Sequence, residues 1–187
     1  MFNNTGINSI QLKDLNEIKQ ISDACFGENY LTISQLNQYM GSKGVFIYYR
    51  SSNQIIGYCI GLIMNTKSDM ELEWSNLDNE LTFTFPLGII KNIAVKPSAQ
   101  NQGIGTLLLD ACIHKLKNQF LCKTMYYPAW TESTSFLFTK KVKIQGFSNK
   151  AVFQNYWTAA SIQKNYQCSK CGNPPCSCSM TLFVKNL

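Results

Sequence analysis

The stretch 92–106, NIAVKPSAQNQGIGT, constrains this chain more than any other. Ile93 and Val95 alternate with Asn92 and Ala94 at the strand period of two, and Pro97 has no N–H to give a ladder, so a strand should end there. Beyond it, Ile104, Leu107, Leu108, Ala111 and Cys112 follow the i, i+3, i+4, i+7, i+8 spacing of an amphipathic helix, with Thr106, Asp110, His114 and Lys117 on the polar side. The helix therefore opens at residues 102–105. Its first N–H groups have no intrahelical partner, and the helix dipole adds partial positive charge there. Gly103 and Gly105 carry no Cβ, so a phosphate can approach the main chain without help from a lysine. The motif is not a P-loop, because no Gly-Lys-Ser/Thr follows, and its glycine spacing differs from that of a dinucleotide fingerprint. The plain alternative is a strand-turn-helix whose glycines serve tight packing.

Gln100-Asn101-Gln102-Gly103-Ile104-Gly105 resembles the Gln/Arg-x-x-Gly-x-Gly/Ala motif that joins the fourth strand to the third helix in the GNAT superfamily of N-acetyltransferases. The preceding Ile93-Ala94-Val95-Lys96-Pro97 is similar to that family's lead-in, and Gly146-Phe147 to its Gly-Phe before the sixth strand. In wording the chain is nearest to the ribosomal-protein alanine acetyltransferases, which share Asn-Ile-Ala-Val and the spacing from Gly146-Phe147 to Asn155-Tyr156. The resemblance covers residues 5–160 or so. It implies an α/β (α+β) architecture, a mixed, mostly antiparallel twisted sheet of about seven strands with helices on both faces. It also implies acetyl-CoA as cosubstrate, its pyrophosphate on the helix N-terminus and its pantetheine arm between splayed fourth and fifth strands. The cofactor contacts would be Ile93, Ala94, Val95, Gln100, Asn101, Gln102, Gly103, Ile104, Gly105 and Thr106, with Phe138 on the following helix. Phe138 stands where the nearest relatives carry a tyrosine proposed to protonate the departing thiolate, and it has no proton to give.

At 187 residues and 45% hydrophobic, the chain suits one well-buried domain over 1–187. A polar insertion at 65–86 carries Asp69, Glu71, Glu73, Asp78 and Glu80 and reads as a surface excursion or an acceptor-binding flap. Residues 1–6 lack the basic and apolar regions of a signal peptide, so a cytoplasmic location is expected. The longest apolar run, 58–64, is far short of the ~20 residues that span a membrane. The net charge of +6 comes from 17 basic residues, all lysine but Arg50, and they form no basic stripe with interleaved aromatics. Nucleic acid is therefore not an expected partner. The expected partners are acetyl-CoA and an amine acceptor, either a small molecule or a peptide N-terminus or lysine, with monomer and homodimer both open.

Read in order, 7–12 is a first strand and Asp14 caps a helix with the stripe Leu15, Ile18, Ser22 and Cys25. Ser34 caps a second helix that runs to Met40, and 45–50 with 55–64 makes a hairpin. Ser68 and Glu71 form a capping-box pattern, and 81–85 alternates like a strand. Strands are expected at 88–95, at 123–127 with Pro128 as its end, at 152–157 and at 180–184, with a helix at 133–141.

Two sets of residues carry the remaining chemistry. Cys168-x-x-Cys171-Gly172 and Cys176-x-Cys178 gather four thiols in the turn at 166–179, between the sixth and seventh strands. That pattern suits a structural zinc with four soft ligands, and disulfides, redox use or an iron–sulfur cluster are the alternatives. Cys25, Cys59 and Cys112 read as core fillers, with Cys122 at a strand edge. For proton transfer the expected fourth strand offers no carboxylate. Tyr156 is the candidate replacement acid, Glu132 lies just past the fifth strand, and the lone His114 reads as solvated. A binding module that keeps the acyl-CoA fold without the acid is the alternative to an enzyme.

Overall fold

A computed structural model describes residues 5–69, 83–130, 142, 143 and 145–187. The chain begins with β1 (Gly6–Ser9), a 3-10 turn at Leu12–Asp14 and α1 (Leu15–Phe26). Next come α2 (Ile33–Met40) and a hairpin of β2 (Gly44–Ser51) and β3 (Gln54–Met64). β4 (Leu87–Val95), α3 (Ile104–Asn118) and β5 (Thr124–Trp130) follow. β6 (Ser148–Phe153), α4 (Thr158–Lys164) and β7 (Met180–Asn186) complete the described elements.

Several ends differ from the expectation for local reasons. Thr32, not Ser34, caps α2: its hydroxyl accepts the Gln35 N–H at 3.2 Å while Gln35 Oε1 accepts the Thr32 N–H at 3.0 Å, a reciprocal capping box. The Asp14 carboxylate does not cap α1. It accepts the Gln11 N–H at 2.8 Å and lies 3.8 Å from Arg50. β6 ends at Phe153, and Trp157, expected on that strand, instead opens α4. The capping-box pattern from Ser68 and the strand at 81–85 fall largely outside the described residues, as does the helix at 133–141.

The seven strands form one sheet in the order β1-β2-β3-β4-β5-β7-β6. All neighbours are antiparallel except β4 and β5, and a parallel pair needs a crossover, which α3 supplies. β4 and β5 pair only from Leu87 with Thr124 to Ile89 with Tyr126, and then part. Pro128 consequently does not stop β5: beyond Tyr126 the strand has, among the described residues, only β7 beside it, with Pro128 opposite Leu182, and an edge tolerates proline.

Helices cover both faces. Ile18 and Ile21 of α1, Leu36 of α2 and Ala160 of α4 belong to one buried cluster, while Leu108, Cys112 and Leu116 of α3 belong to the other. The buried stripe of α3 is rotated from the expected one. Leu107 is 49% exposed, and Leu109 and Ile113 take its place beside Ile104. With three leucines in a row, periodicity alone does not select the inward ones. No helix among the described residues is long and apolar enough to cross a membrane.

Candidate functional site

The parting of β4 and β5 opens a cleft of about 280 Å³. Its position is sharpened by a bulge: Ile60 pairs with Asn92 and Gly61 with Ile90, so Lys91 is an extra residue in β4, at the place where the strands separate. Residues 91–95 of β4 and 127–130 of β5 form two walls, with Ala99, Gln100, Asn101 and the first turn of α3 at one end. Phe26, Tyr30 and Trp157 close the other, and Cys25 lies in the wall beside Val95. Of the cofactor contacts expected from the sequence, Ile93, Ala94, Val95, Gln100, Asn101, Gly103, Ile104, Gly105 and Thr106 line this cleft, and Gln102 does not. Phe138 and Glu132 lie outside the described residues.

Gly103 is the N-cap of α3, with φ 83°, and no side chain caps the helix. The left-handed conformation explains this glycine. It does not explain Gly105, which is helical. Packing among the described residues does not explain either one: there a Cβ on Gly103 would meet nothing within 4 Å, and one on Gly105 would find its nearest neighbour, Val95 Cγ2, at an ordinary 3.7 Å. The Gln100 side chain ties the loop down by donating from Nε2 to the Val95 carbonyl at 3.0 Å. The Cys25 thiol donates to the same oxygen at 3.3 Å. Burial pushes Cys25 up to about 11, so it stands protonated near neutral pH and is no nucleophile. The expectation of a plain core filler is thus corrected, since Cys25 is a wall residue, half-buried at the mouth of the gap.

The far end of the cleft is aromatic. Tyr30 meets Trp130 at 5.6 Å and Trp157 at 6.3 Å, and Phe26 meets Trp130 edge-on at 5.5 Å between ring centroids. Asn92 enters this group from β4, 3% exposed, and its Nδ2 donates to the Tyr30 hydroxyl at 3.3 Å. Its Oδ1 is buried without a hydrogen-bond partner among the described residues. No aspartate, glutamate or histidine is found among the described lining residues. Tyr156 falls in the turn after β6 and does not line the cleft; its ring lies edge-on against Trp157 at 4.9 Å. The exposed His114 lies within reach of Asn118 on the outer side of α3. Phe26, Tyr30, Asn92, Trp130 and Trp157 were not singled out from the sequence. Four of them are aromatics scattered from 26 to 157 and the fifth is an amide inside an expected strand, which marks no shared site until the chain folds.

The four-cysteine turn lies behind this aromatic end. The sulfur atoms of Cys168, Cys171, Cys176 and Cys178 all lie within 4.8 Å of one another, at 3.8 Å for Cys168 to Cys178 and Cys171 to Cys176 and 3.4 Å for Cys171 to Cys178. A disulfide needs about 2.05 Å. Four ligands on a tetrahedral ion at about 2.3 Å would stand about 3.8 Å apart. The N–H groups of Lys170 and Cys171 both donate to Cys168 Sγ at 3.4 Å, the backbone arrangement that supports a metal-bound thiolate. Three of the cysteines are buried and Cys171 is exposed. The Ser177 hydroxyl and its backbone hold Cys171 down at about 6, while burial pushes Cys176 up to about 11. The set could therefore hold a metal ion.

The turn is fastened on two sides. Thr158 Oγ1 donates to the Cys176 carbonyl at 2.7 Å, and the Cys176 N–H donates to Ser161 Oγ at 2.8 Å, which joins the second cysteine pair to α4. On the other side, the Gln167 N–H donates to the Glu28 carbonyl at 3.0 Å, the Ser169 N–H to Phe26 at 3.1 Å and Ser169 Oγ to Cys25 at 3.1 Å. The cysteine turn is thus tied to the segment that carries Phe26 and Tyr30.

The model of the acetyltransferase (GNAT) family matches residues 15–134. The chain belongs to this family. Among solved GNAT-fold structures, the chain is similar to the ribosomal-protein-S18-alanine N-acetyltransferase from Escherichia coli, with a TM-score of 0.66 and 15% identity over 96% of this chain and 92% of that one. It is similar to Naa20 from Chaetomium thermophilum, solved with a bisubstrate analogue, with a TM-score of 0.68 and 18% identity over 97% and 86%. NAA60 from Arabidopsis thaliana, also solved with a bisubstrate analogue, gives a TM-score of 0.68 at 14% identity over 96% of both chains. Likeness at these identities is one of fold. No curated protein sequence matches the chain.

Proposed function

We propose that this GNAT protein is an acetyl-CoA-dependent N-acetyltransferase that transfers the acetyl group to a primary amine by direct attack on the thioester. The observation that carries the reading is Gly105. A glycine within a helix costs up to roughly 0.5–1 kcal/mol relative to alanine, and here neither backbone conformation nor a described neighbour demands it. Space kept free at uncapped helix N–H groups suits a pyrophosphate.

In this reading the pantetheine arm occupies the gap between β4 and β5. The β4 edge that β5 leaves unpaired offers backbone N–H groups to polarise the thioester carbonyl. The amine nitrogen attacks, the C–N bond forms, and the C–S electron pair leaves on sulfur. One nitrogen proton is lost and the thiolate gains one, so no net proton is required. With no aspartate, glutamate or histidine among the described lining residues and Tyr156 packed against Trp157, we assign both transfers to water in the cleft. That absence also favours a second reading, an acyl-CoA-binding module with weakened catalysis. Calorimetry with acetyl-CoA tests the shared cofactor claim, and release of free CoA with amines present separates the two.

We further propose that the cysteine turn binds one zinc ion, supported by the sulfur spacing and the N–H donors to Cys168. Four protein ligands leave no open coordination position, so the ion would fasten the turn and take no part in acetyl transfer.

A further inference from the structure

The orphaned amide oxygen of Asn92 points to the chemistry of the acceptor. A buried acceptor atom without a partner is costly and calls for a donor. Asn92 Oδ1 is such an atom, and its residue forms part of the cleft wall at the β4 bulge, where the strands have just separated. The other amide atom is held by Tyr30, which fixes the plane of the group. On the cleft side it shares the wall with the rings of Phe26, Trp130 and Trp157. The single charged residue among the described lining is Lys91, a cation.

We propose that this aromatic chamber is the acceptor subsite and that it takes a primary monoamine whose nitrogen lies next to an apolar, preferably aromatic, group. The inference rests on the acetyltransferase reading above. One N–H of the amine donates to Asn92 Oδ1, which leaves the nitrogen lone pair for the thioester carbonyl. The apolar group lies among the rings, where edge and face contacts to aromatics favour it. A neutral amide oxygen, unlike a carboxylate, does not hold the amine as an ammonium ion, so the nucleophilic neutral form is not penalised. A polyamine brings further positive charges to a chamber whose described charge is already positive. An arylalkylamine and a peptide N-terminus with an apolar first residue share the recognised chemistry.

The test measures CoA released from acetyl-CoA by the full chain with five acceptors: phenethylamine, tyramine, a peptide beginning with Phe, an N-terminally blocked peptide with one lysine, and spermidine. Acetyl-CoA affinity is measured separately by calorimetry. The expected result is kcat/KM at least tenfold higher for the first three than for the last two, and the ranking within the three tells free amine from peptide. Asn92→Leu keeps the volume and removes the oxygen, so the KM for the preferred amine should rise about tenfold while acetyl-CoA affinity is unchanged. Asn92→Asp keeps the shape and adds the missing negative charge, so it should raise the turnover of spermidine relative to phenethylamine. Preference for spermidine or the lysine peptide in the unmodified chain overturns the inference, as does an unchanged amine KM in folded Asn92→Leu. Absence of acetyl-CoA binding would overturn the cofactor reading itself, and this inference with it.

Discussion

Gly27 lies against the main chain of Gln167 so closely that a Cβ on it would stand 1.5 Å from the Gln167 carbonyl oxygen. Its φ of 111° is one that side-chain-bearing residues rarely adopt. The end of α1 and the start of the cysteine turn therefore meet backbone to backbone, at a contact that only glycine permits.

Gly27→Ala should accordingly be among the most damaging small substitutions in the chain. The clash is with a carbonyl and cannot be relieved by a rotamer, and backbone strain at such a φ adds of order 1–3 kcal/mol. A melting temperature lowered by several degrees is the expected outcome, together with faster amide exchange at residues 26–30. An unchanged melting temperature would mean that the contact is not made in solution.

Gly105→Ala separates stability from binding. The substitution should raise the melting temperature, since a helical glycine is disfavoured by roughly 0.5–1 kcal/mol, and should weaken acetyl-CoA binding. Gly105→Glu should abolish binding by adding a negative charge at the proposed pyrophosphate site. Unaltered acetyl-CoA affinity in both folded variants would remove the cofactor site from the start of α3.

Purified protein should contain one zinc per chain, and Cys168→Ser with Cys171→Ser should release it. Metal analysis checks the first point. The second has a structural readout: amide exchange at 26–30 should quicken, because Gln167 and Ser169, which flank Cys168, donate to carbonyls in that segment. Iron with visible absorption, or no metal, would count against the assignment.

Tyr156→Phe should leave acetyl-CoA affinity unchanged and alter kcat by less than about threefold, because the ring lies behind Trp157 and outside the cleft lining. A positioned general acid contributes about a hundredfold or more. A loss of that size would restore Tyr156 to the reaction and displace water from it.

The sequence was most legible where local rules decide. The β4–turn–α3 unit follows from alternation, Pro97 and the glycine-opened helix, and the four clustered cysteines follow from spacing alone. It was least legible where distant segments meet. Pro128 ended the expected strand because proline cannot donate, yet the parting from β4 makes that stretch an edge. Cys25 looked like filler because its partner, the Val95 carbonyl, lies far along the chain. The lining of the aromatic end comes from α1, the loop after it, β4, β5 and the turn before α4. No short-range pattern links those five places.

The bonds that tie the cysteine turn to residues 25, 26 and 28 all end on main-chain carbonyls. A fastening of this kind does not read side chains, so it is blind to most substitutions. Exchanging Phe26 leaves these bonds to main-chain carbonyls in place, and between 25 and 28 it is Gly27 whose close contact vetoes a side chain. The anchor is thereby insulated from changes in the cleft wall: the residues that face the cleft can drift while descendants of this protein inherit the same fastening.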